Sequence, residues 1–154
     1  EDALAGIAEP VLSLENVVEL LSGLTGFSQY FKGFPQGEIE ALASHICVVR
    51  VAARARVFKA GERATFLALV LSGGLVTDLP GRLPVPCEAG ALVGHADLFL
   101  SGARPADVYT TADTVLAVLA YHELAAIYLM DPLFGIKVLR MAGYAAVDDL
   151  QRAL

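Results

Sequence analysis

The chain has 154 residues, a formal net charge of −6 and 56% hydrophobic residues, a length that fits one domain able to bury a core without disulfides or metals. Its apolar runs are far shorter than the ~18–20 residues that cross a bilayer, which argues against a membrane span. The basic residues are too scattered for direct nucleic-acid binding. The one local concentration is Arg50, Arg54, Arg56 and Lys59.

Helical spacing marks two segments near the start of the chain. In Ser13–Leu21 the apolar residues recur every three or four positions, and the same spacing follows the turn at Pro35 to Gly37. These rows are Leu14, Val17, Val18 and Leu21, and then Ile39, Leu42, Ala43 and Ile46. We predict a helical segment over residues 1–30 and a second unit over residues 31–154. The chain begins at Glu1 rather than Met, so we expect a fragment of a longer protein or a processed form.

From Val48 the apolar residues alternate with polar ones, which is typical of half-buried strands. Glycine-containing turns then recur at short intervals and separate apolar runs such as Phe66–Leu71 and Val115–Leu119. These turns lie at Gly61-Glu62, Ser72-Gly73-Gly74, Leu79-Pro80-Gly81, Glu88-Ala89-Gly90 and Ser101-Gly102. The pattern predicts a mainly β sandwich or barrel within an α+β fold.

Two helices are predicted at the end of the chain, near His122–Met130 and over Leu133–Leu150, with Asp131-Pro132 between them. The last helix has two apolar rows, and such a helix needs two neighbours. One row is Phe134, Val138, Met141 and Ala145, and the other is Leu133, Ile136, Gly143, Val147 and Leu150, interrupted by Arg140. The second row packs either within the monomer or on another copy in a homodimer.

The segment Gly90 to Val108, GALVGHADLFLSGARPADV, has the residue order of an anion site. Gly94 permits close backbone approach, and a short helix beginning at about His95 would aim the Ala96 amide and its neighbours at a phosphate. Arg104 could then hold two phosphate oxygens through parallel hydrogen bonds.

This segment resembles the phosphate-binding cassette of the cyclic nucleotide-binding domain family. That cassette reads Gly-Glu, a short apolar helix, then Arg-(Pro or Ala)-Ala-(Thr or Ser), and this chain keeps Gly94, Arg104, Pro105 and Ala106. The resemblance runs from about Phe31 to the C-terminal helix. It implies a double-stranded β-helix, or jelly-roll-like barrel, with flanking N- and C-terminal helices. It also implies a regulatory domain that binds cyclic AMP or cyclic GMP and signals through the C-terminal helix. The implied ligand contacts are Gly94, His95, Ala96, Arg104, Pro105, Ala106 and Asp107.

The chain departs from the family pattern at two of these positions. His95 stands where a glutamate accepts the ribose hydroxyl, and losing such a bond costs roughly 1.5–3 kcal/mol. Asp107 stands where a small hydroxyl residue contacts the phosphate, and like charges about 4 Å apart repel by about 4 kcal/mol at an effective dielectric of about 20. Asp107 could instead pair with Arg104 and fill the phosphate's place, and Asp97 is another candidate partner for this arginine. A ligand-free interaction module is therefore the alternative to a sensor.

The sequence does not indicate an enzyme or a cofactor. His95, Asp97 and His122 have the residue types of a two-histidine, one-carboxylate iron site, but His122 fits an ordinary helix-start role better. No Gly-x-Ser-x-Gly or Walker-type motif occurs. Cys47 and Cys87 are interpreted as buried free thiols in a reducing compartment, so we expect a cytoplasmic protein.

Overall fold

The computed structural model describes residues 9–10, 16, 19, 33–99 and 102–153. Most of the predicted N-terminal helix lies outside these residues, although Asn16 and Glu19 are described and are helical. The division at residue 31 therefore stays a prediction. Besides Asn16, Glu19 and a short 3-10 helix at Ala96–Leu98, the described residues form α1 (Gln36–Ala43), α2 (Tyr121–Met130) and α3 (Pro132–Ala153). No helix among the described residues has the length and apolar character needed to cross a membrane.

The strands of the described chain form two antiparallel sheets. The five-stranded sheet has the order β1-β2-β9-β4-β7 and the four-stranded sheet the order β3-β8-β5-β6. The strands are β1 (Glu9–Pro10), β2 (Ile46–Val51), β3 (Arg56–Phe58), β4 (Phe66–Ser72), β5 (Gly74–Asp78), β6 (Val85–Glu88), β7 (Leu92–Val93), β8 (Asp107–Thr110) and β9 (Thr114–Ala120). This architecture confirms the predicted α+β, mainly β fold.

Strand β4 shows why the sequence contains one continuous apolar run. Leu67 and Leu69 face the cluster that also contains the helices, whereas Phe66, Ala68 and Val70 face the cluster between the two sheets. Since both faces of the strand are buried, both sets of alternating side chains are apolar. The five-stranded sheet is thus the central layer, with the helices on one side and the four-stranded sheet on the other.

The start of α3 follows from the dipeptide Asp131-Pro132. Pro132 occupies the first helical position, where its missing N–H costs no hydrogen bond. The Asp131 carboxylate accepts a hydrogen bond from the Phe134 amide at 3.3 Å and so caps the helix. The predicted inner row Phe134, Val138, Met141 and Ala145 is buried, whereas Leu133, Ile136, Val147 and Leu150 of the second row are exposed.

The prediction that Ile46 belongs to a helix is wrong. Helix α1 ends at Ala43, and Ile46 pairs with Leu119 in the first position of β2. Ile46 lies three residues after Ala43, so this strand residue has by chance the same spacing as the apolar residues of the helix. Apolar periodicity cannot separate a helix end from a strand that follows it after two residues.

Candidate ligand pocket

Gly94 forms a tight turn between β7 and a short 3-10 helix at Ala96–Leu98. Its φ is +76°, a conformation that side chains disfavour. A Cβ at this position would lie 2.8 Å from Nη1 of Arg104, 2.9 Å from the Phe66 carbonyl oxygen and 3.0 Å from Phe58 Cζ. Glycine is therefore required both by the backbone conformation and by the close packing of the arginine.

Arg104 is buried and already has partners within the chain. Its Nη1 donates to Oδ2 of Asp97 at 2.8 Å, and its Nη2 donates to the Phe66 carbonyl oxygen at 2.7 Å. The guanidinium carbon lies 3.7 Å from the ring centroid of Phe58, a cation–π contact. The Nε atom is buried and has no hydrogen-bond partner. The charge of Arg104 is thus neutralised by a carboxylate that is itself only 7% exposed.

Backbone hydrogen bonds fix the position of Arg104. Its amide donates to the Glu62 carbonyl at 2.8 Å, and its carbonyl accepts from the Gly61 amide at 2.8 Å. An isolated bridge joins Arg63 and Ala103 next to it. The backbone at Arg104 is therefore fixed, and any movement of the guanidinium would break its side-chain hydrogen bonds to Asp97 and Phe66.

A cavity of about 1140 Å³ lies beside this pair and is open to solvent. Most of its wall is apolar, with contributions from Phe58, Leu79, Val85, Leu92, Val93 and Val108. Three carboxylate residues, Glu88, Asp97 and Asp149, also line it. Among the described lining residues there is no lysine or arginine, and Arg104 reaches this wall only through its bond to Asp97. The cavity therefore faces a carboxylate where an anion site would present a guanidinium.

His95 connects this cavity to the end of α3. Its ring is 3% exposed, and its Nε2 lies 2.8 Å from Oδ2 of Asp149, which is half exposed on α3. This is a close polar contact, whereas Nδ1 is buried and has no hydrogen-bond partner. The imidazole thus has one nitrogen against Asp149 and one unpartnered nitrogen.

Two further titratable groups border the site. The Tyr121 hydroxyl donates to the Gly94 carbonyl oxygen at 2.6 Å, and burial raises the pKa of this tyrosine. Burial, and then the Asp149 carboxylate, raise the pKa of the Cys87 thiol, which lines the cavity. The expectation of two buried thiols is wrong for Cys47, which is exposed.

Of the predicted ligand contacts, the structure places four on the cavity wall: Gly94, His95, Pro105 and Ala106. Ala96 is exposed and is not part of this wall. The hypothesis that Asp107 pairs with Arg104 is wrong, since Asp107 Oδ1 accepts a hydrogen bond from the Ala60 amide at 2.7 Å. Asp97 forms that pair instead.

The iron-site alternative has no geometric counterpart in the described part of the chain. There His, Cys, Asp and Glu side chains do not come together in groups of three or more that could hold a metal ion. His122 is 82% exposed at the first turn of α2, with Nε2 3.6 Å from Glu123. The other prediction about this residue, a role at the start of a helix, agrees with this position.

Sequence reasoning missed Asp149 and Glu88 as pocket residues and treated Asp97 only as one alternative partner of Arg104. Asp149 carries no local signal, because it lies on α3, more than fifty residues after His95 in the sequence. The sequence feature that could have identified Asp97 is its position on the short helix after Gly94. From this helix its side chain reaches back to Arg104.

The two stacked antiparallel sheets with their helices have the fold of solved cyclic nucleotide-binding domains. Comparison with solved structures confirms the predicted resemblance at the level of fold. A cyclic nucleotide-binding domain from Methylobacillus flagellatus KT matches with a TM-score of 0.83 and 19% identity, over 97% of this chain and 86% of the other.

Two other solved structures share the fold. The N-terminal domain of a transcriptional regulator from Streptomyces coelicolor A3(2) matches with a TM-score of 0.65 and 18% identity, over 81% of this chain and 91% of that one. The regulatory domain of Toxoplasma gondii PKA, solved with cAMP, matches with a TM-score of 0.69 and 18% identity, over 87% of this chain and 51% of that one. No protein-family model and no curated protein matches this chain.

Proposed function

We propose that this chain is a non-catalytic regulatory domain of the cyclic nucleotide-sensor type whose pocket does not hold an ordinary cyclic nucleotide. The observation that carries the proposal is the buried Asp97–Arg104 pair, joined at 2.8 Å. The fold supports the regulatory class, since its neighbours are cyclic nucleotide-binding and regulatory domains. The pair argues against the usual ligand.

The physical reason is electrostatic. A phosphate placed against Arg104 would come close to the Asp97 carboxylate, which lines the same cavity. At about 4 Å and an effective dielectric of about 20 this repulsion is about 4 kcal/mol. Arg104 also gains little from a phosphate, because it already makes a charge-assisted hydrogen bond to a buried carboxylate.

The end of α3 provides a route for signal output. Asp149 touches His95 on the pocket wall, so a ligand at this wall changes the environment of the helix end. The inner row of the same helix packs on the core, while its outer row is exposed. We therefore propose that pocket occupancy is transmitted to a protein partner through α3.

A second candidate function is a true cyclic nucleotide sensor in which the phosphate displaces Asp97. The observation that favours it is the close approach of Arg104 to Gly94 on the cavity wall, together with the unpartnered Nε atom of Arg104. In this case cyclic AMP or cyclic GMP would bind the unmodified domain.

Calorimetric titration with cyclic AMP and cyclic GMP to millimolar concentration separates the two candidates. We expect no binding by the unmodified domain and measurable binding by Asp97→Asn, whose amide oxygen keeps the hydrogen bond but removes the charge. Asp107→Asn is the matched control and should stay inactive, because Asp107 is bonded to the Ala60 amide.

The double variant Arg104→Met/Asp97→Leu replaces the pair by apolar side chains of similar volume and should fold without binding. Circular dichroism of every variant checks the fold. Cyclic nucleotide binding by the unmodified domain that this double variant abolishes would establish the second candidate and reject the first.

A further inference from the structure

The exposed face of α3 follows a regular repeat. Six residues recur on it with alternating spacings of three and four, the repeat of a helix that packs lengthwise against another helix. This outer row consists of Leu133, Ile136, Arg140, Gly143, Val147 and Leu150. Its four large apolar side chains are between 42% and 82% exposed, and Leu129 and Met130 directly before α3 are exposed as well. At 1.5 Å per residue the row is about 26 Å long, and an exposed apolar patch of this extent indicates an interaction surface.

Gly143 has no packing requirement within the described chain. Apart from the backbone of its own helix, a Cβ at this position would meet nothing within 4 Å, and glycine is disfavoured in a helix interior relative to alanine. Gly135 of the same helix differs, because a Cβ there would lie 2.6 Å from the Cα of Tyr128 on α2. The packing of α2 on α3 therefore accounts for Gly135, whereas Gly143 leaves a gap in the outer row that a partner side chain can fill.

The outer row is complementary to itself when two copies of α3 run antiparallel. A two-fold axis that crosses the helix between Met141 and Ala142 places residues at equal distances from the axis opposite each other. In the six resulting layers, Leu133 faces Leu150, Ile136 faces Val147 and Arg140 faces Gly143, each pair occurring twice. The apolar side chains of the row thus lie opposite one another, and its long charged side chain lies opposite the gap.

Other pairings of the same row match less well. In a parallel pair each residue faces its own copy, so two Arg140 side chains share one layer and two Gly143 residues leave a void in the next. An antiparallel pair shifted by one heptad keeps only four layers and sets Arg140 against Ile136 or Leu150. In the symmetric register Arg140 extends over Gly143, and its guanidinium reaches solvent at the edge of the contact.

We infer that the partner on the outer row is a second copy of this chain, whose α3 lies antiparallel in the register that pairs Arg140 with Gly143. The inference rests on the proposed function only for the role of α3 as output element, and it adds the identity of the partner. His95 of the pocket turn contacts Asp149 on the same helix at 2.8 Å. Each pocket of the dimer therefore borders a helix whose opposite face holds the second copy.

Exchange of the arginine and the glycine tests the register. In sedimentation equilibrium across the micromolar range, we expect the full chain to have twice its mass of 16.2 kDa. Gly143→Arg sets arginine against arginine in both central layers and should raise the dissociation constant of the dimer at least about tenfold. Adding Arg140→Gly re-forms both arginine–glycine layers and should restore the dimer. Gly37→Arg on α1 is the matched control and should stay dimeric, because Gly37 is also a helical glycine with nothing within 4 Å of its missing Cβ.

Disulfide cross-linking tests the orientation. Leu133→Cys and Leu150→Cys chains are oxidised separately and mixed, and mass spectrometry of the linked peptides distinguishes new links from links through Cys47 or Cys87. We expect a link between positions 133 and 150 in the mixture and no link of either variant to its own copy. A monomeric chain, a link of each variant to itself, or a double exchange that does not restore the dimer overturns the inference. Failure of the proposed function is distinct, since it appears as cyclic nucleotide binding by the unmodified domain whatever its mass.

Discussion

Gly94 is the position where the pocket wall leaves no room for a side chain. We expect Gly94→Ala to destabilise the domain more than Gly81→Ala, by about 1–3 kcal/mol of additional overpacking. Gly81 is a matched control because its φ is +75°, close to +76° at Gly94, yet nothing lies within 4 Å of its missing Cβ. Urea unfolding measures both. Equal destabilisation would mean that only the backbone conformation matters at Gly94.

Arg104 and Asp97 are expected to behave as one unit in stability measurements. Arg104→Met leaves a buried carboxylate without its partner and should cost about 3–5 kcal/mol of unfolding free energy. Adding Asp97→Leu removes the unpaired charge, so the double variant should recover most of this loss. A double variant no more stable than the single one would contradict the idea that the unpaired charge is the cause.

The sequence predicts Arg104 as the central side chain of the site but not its actual partner. Asp107 and Asp97 are both within a few residues of the arginine, and only the backbone path decides which carboxylate points toward it. Asp107 begins β8 and is bonded to Ala60, whereas the 3-10 helix turns Asp97 inward. Such choices depend on dihedral angles that residue types do not determine.

Helix α2 offers a matched test of which helical face holds the domain together. Leu124 is buried in the cluster between the helices and the five-stranded sheet, and Leu129 on the same helix is 79% exposed. Leu124→Ala should destabilise the domain by about 2–5 kcal/mol, and Leu129→Ala should change stability by less than about 0.5 kcal/mol. Thermal and urea unfolding of both variants would check this, and similar losses would show that α2 packs differently.

Periodicity predicts the helices at the end of the chain well and those near its start less well. In α3 the apolar rows persist for five turns, so the buried row containing Val138 and Met141 can be read from spacing alone. Before Ile46 the helix is short and the strand follows it after two residues. The helical and the strand periods of the apolar residues therefore cannot be distinguished there. A homodimer through the exposed row of α3 stays a prediction.

The stability of the whole domain should fall at alkaline pH in part through Tyr121. Burial raises the pKa of this tyrosine above its ordinary value, so the folded state holds the proton more tightly. Its contribution is fully present below pH about 10 and is lost as the pH rises through the folded-state pKa. Tyr121→Phe lacks the hydrogen bond to the Gly94 carbonyl and should be less stable by about 0.5–1.5 kcal/mol at neutral pH.

The measurement is the difference in unfolding free energy between the unmodified domain and Tyr121→Phe, from neutral pH to above the ordinary pKa of tyrosine. Taking the difference cancels the contributions of the other tyrosines and the lysines to the pH dependence, because these residues titrate in both proteins. We expect the difference to shrink as the pH rises. A difference that stays constant would show that Tyr121 does not titrate differently in the folded and unfolded states.

At the scale of the whole molecule the fold could be predicted, whereas the charge of its pocket could not. The glycine turns and alternating strands indicate a sandwich or barrel, and the resemblance of the cassette residues to a known family indicates where the cavity lies. The carboxylates on its wall come from three separate elements, at Glu88, Asp97 and Asp149. These carboxylates come together only in the complete tertiary structure, so no local sequence pattern predicts that they line one cavity.

The Asp97–Arg104 pair also bears on how such a domain can change over generations. Because the arginine is held by a buried carboxylate of its own chain, selection for a stable fold preserves it even where no anion is sensed. One base change turns an aspartate codon into an asparagine codon. Under the proposed function, a lineage carrying this pair can therefore lose and regain phosphate recognition through a single position, while the cavity around it stays intact.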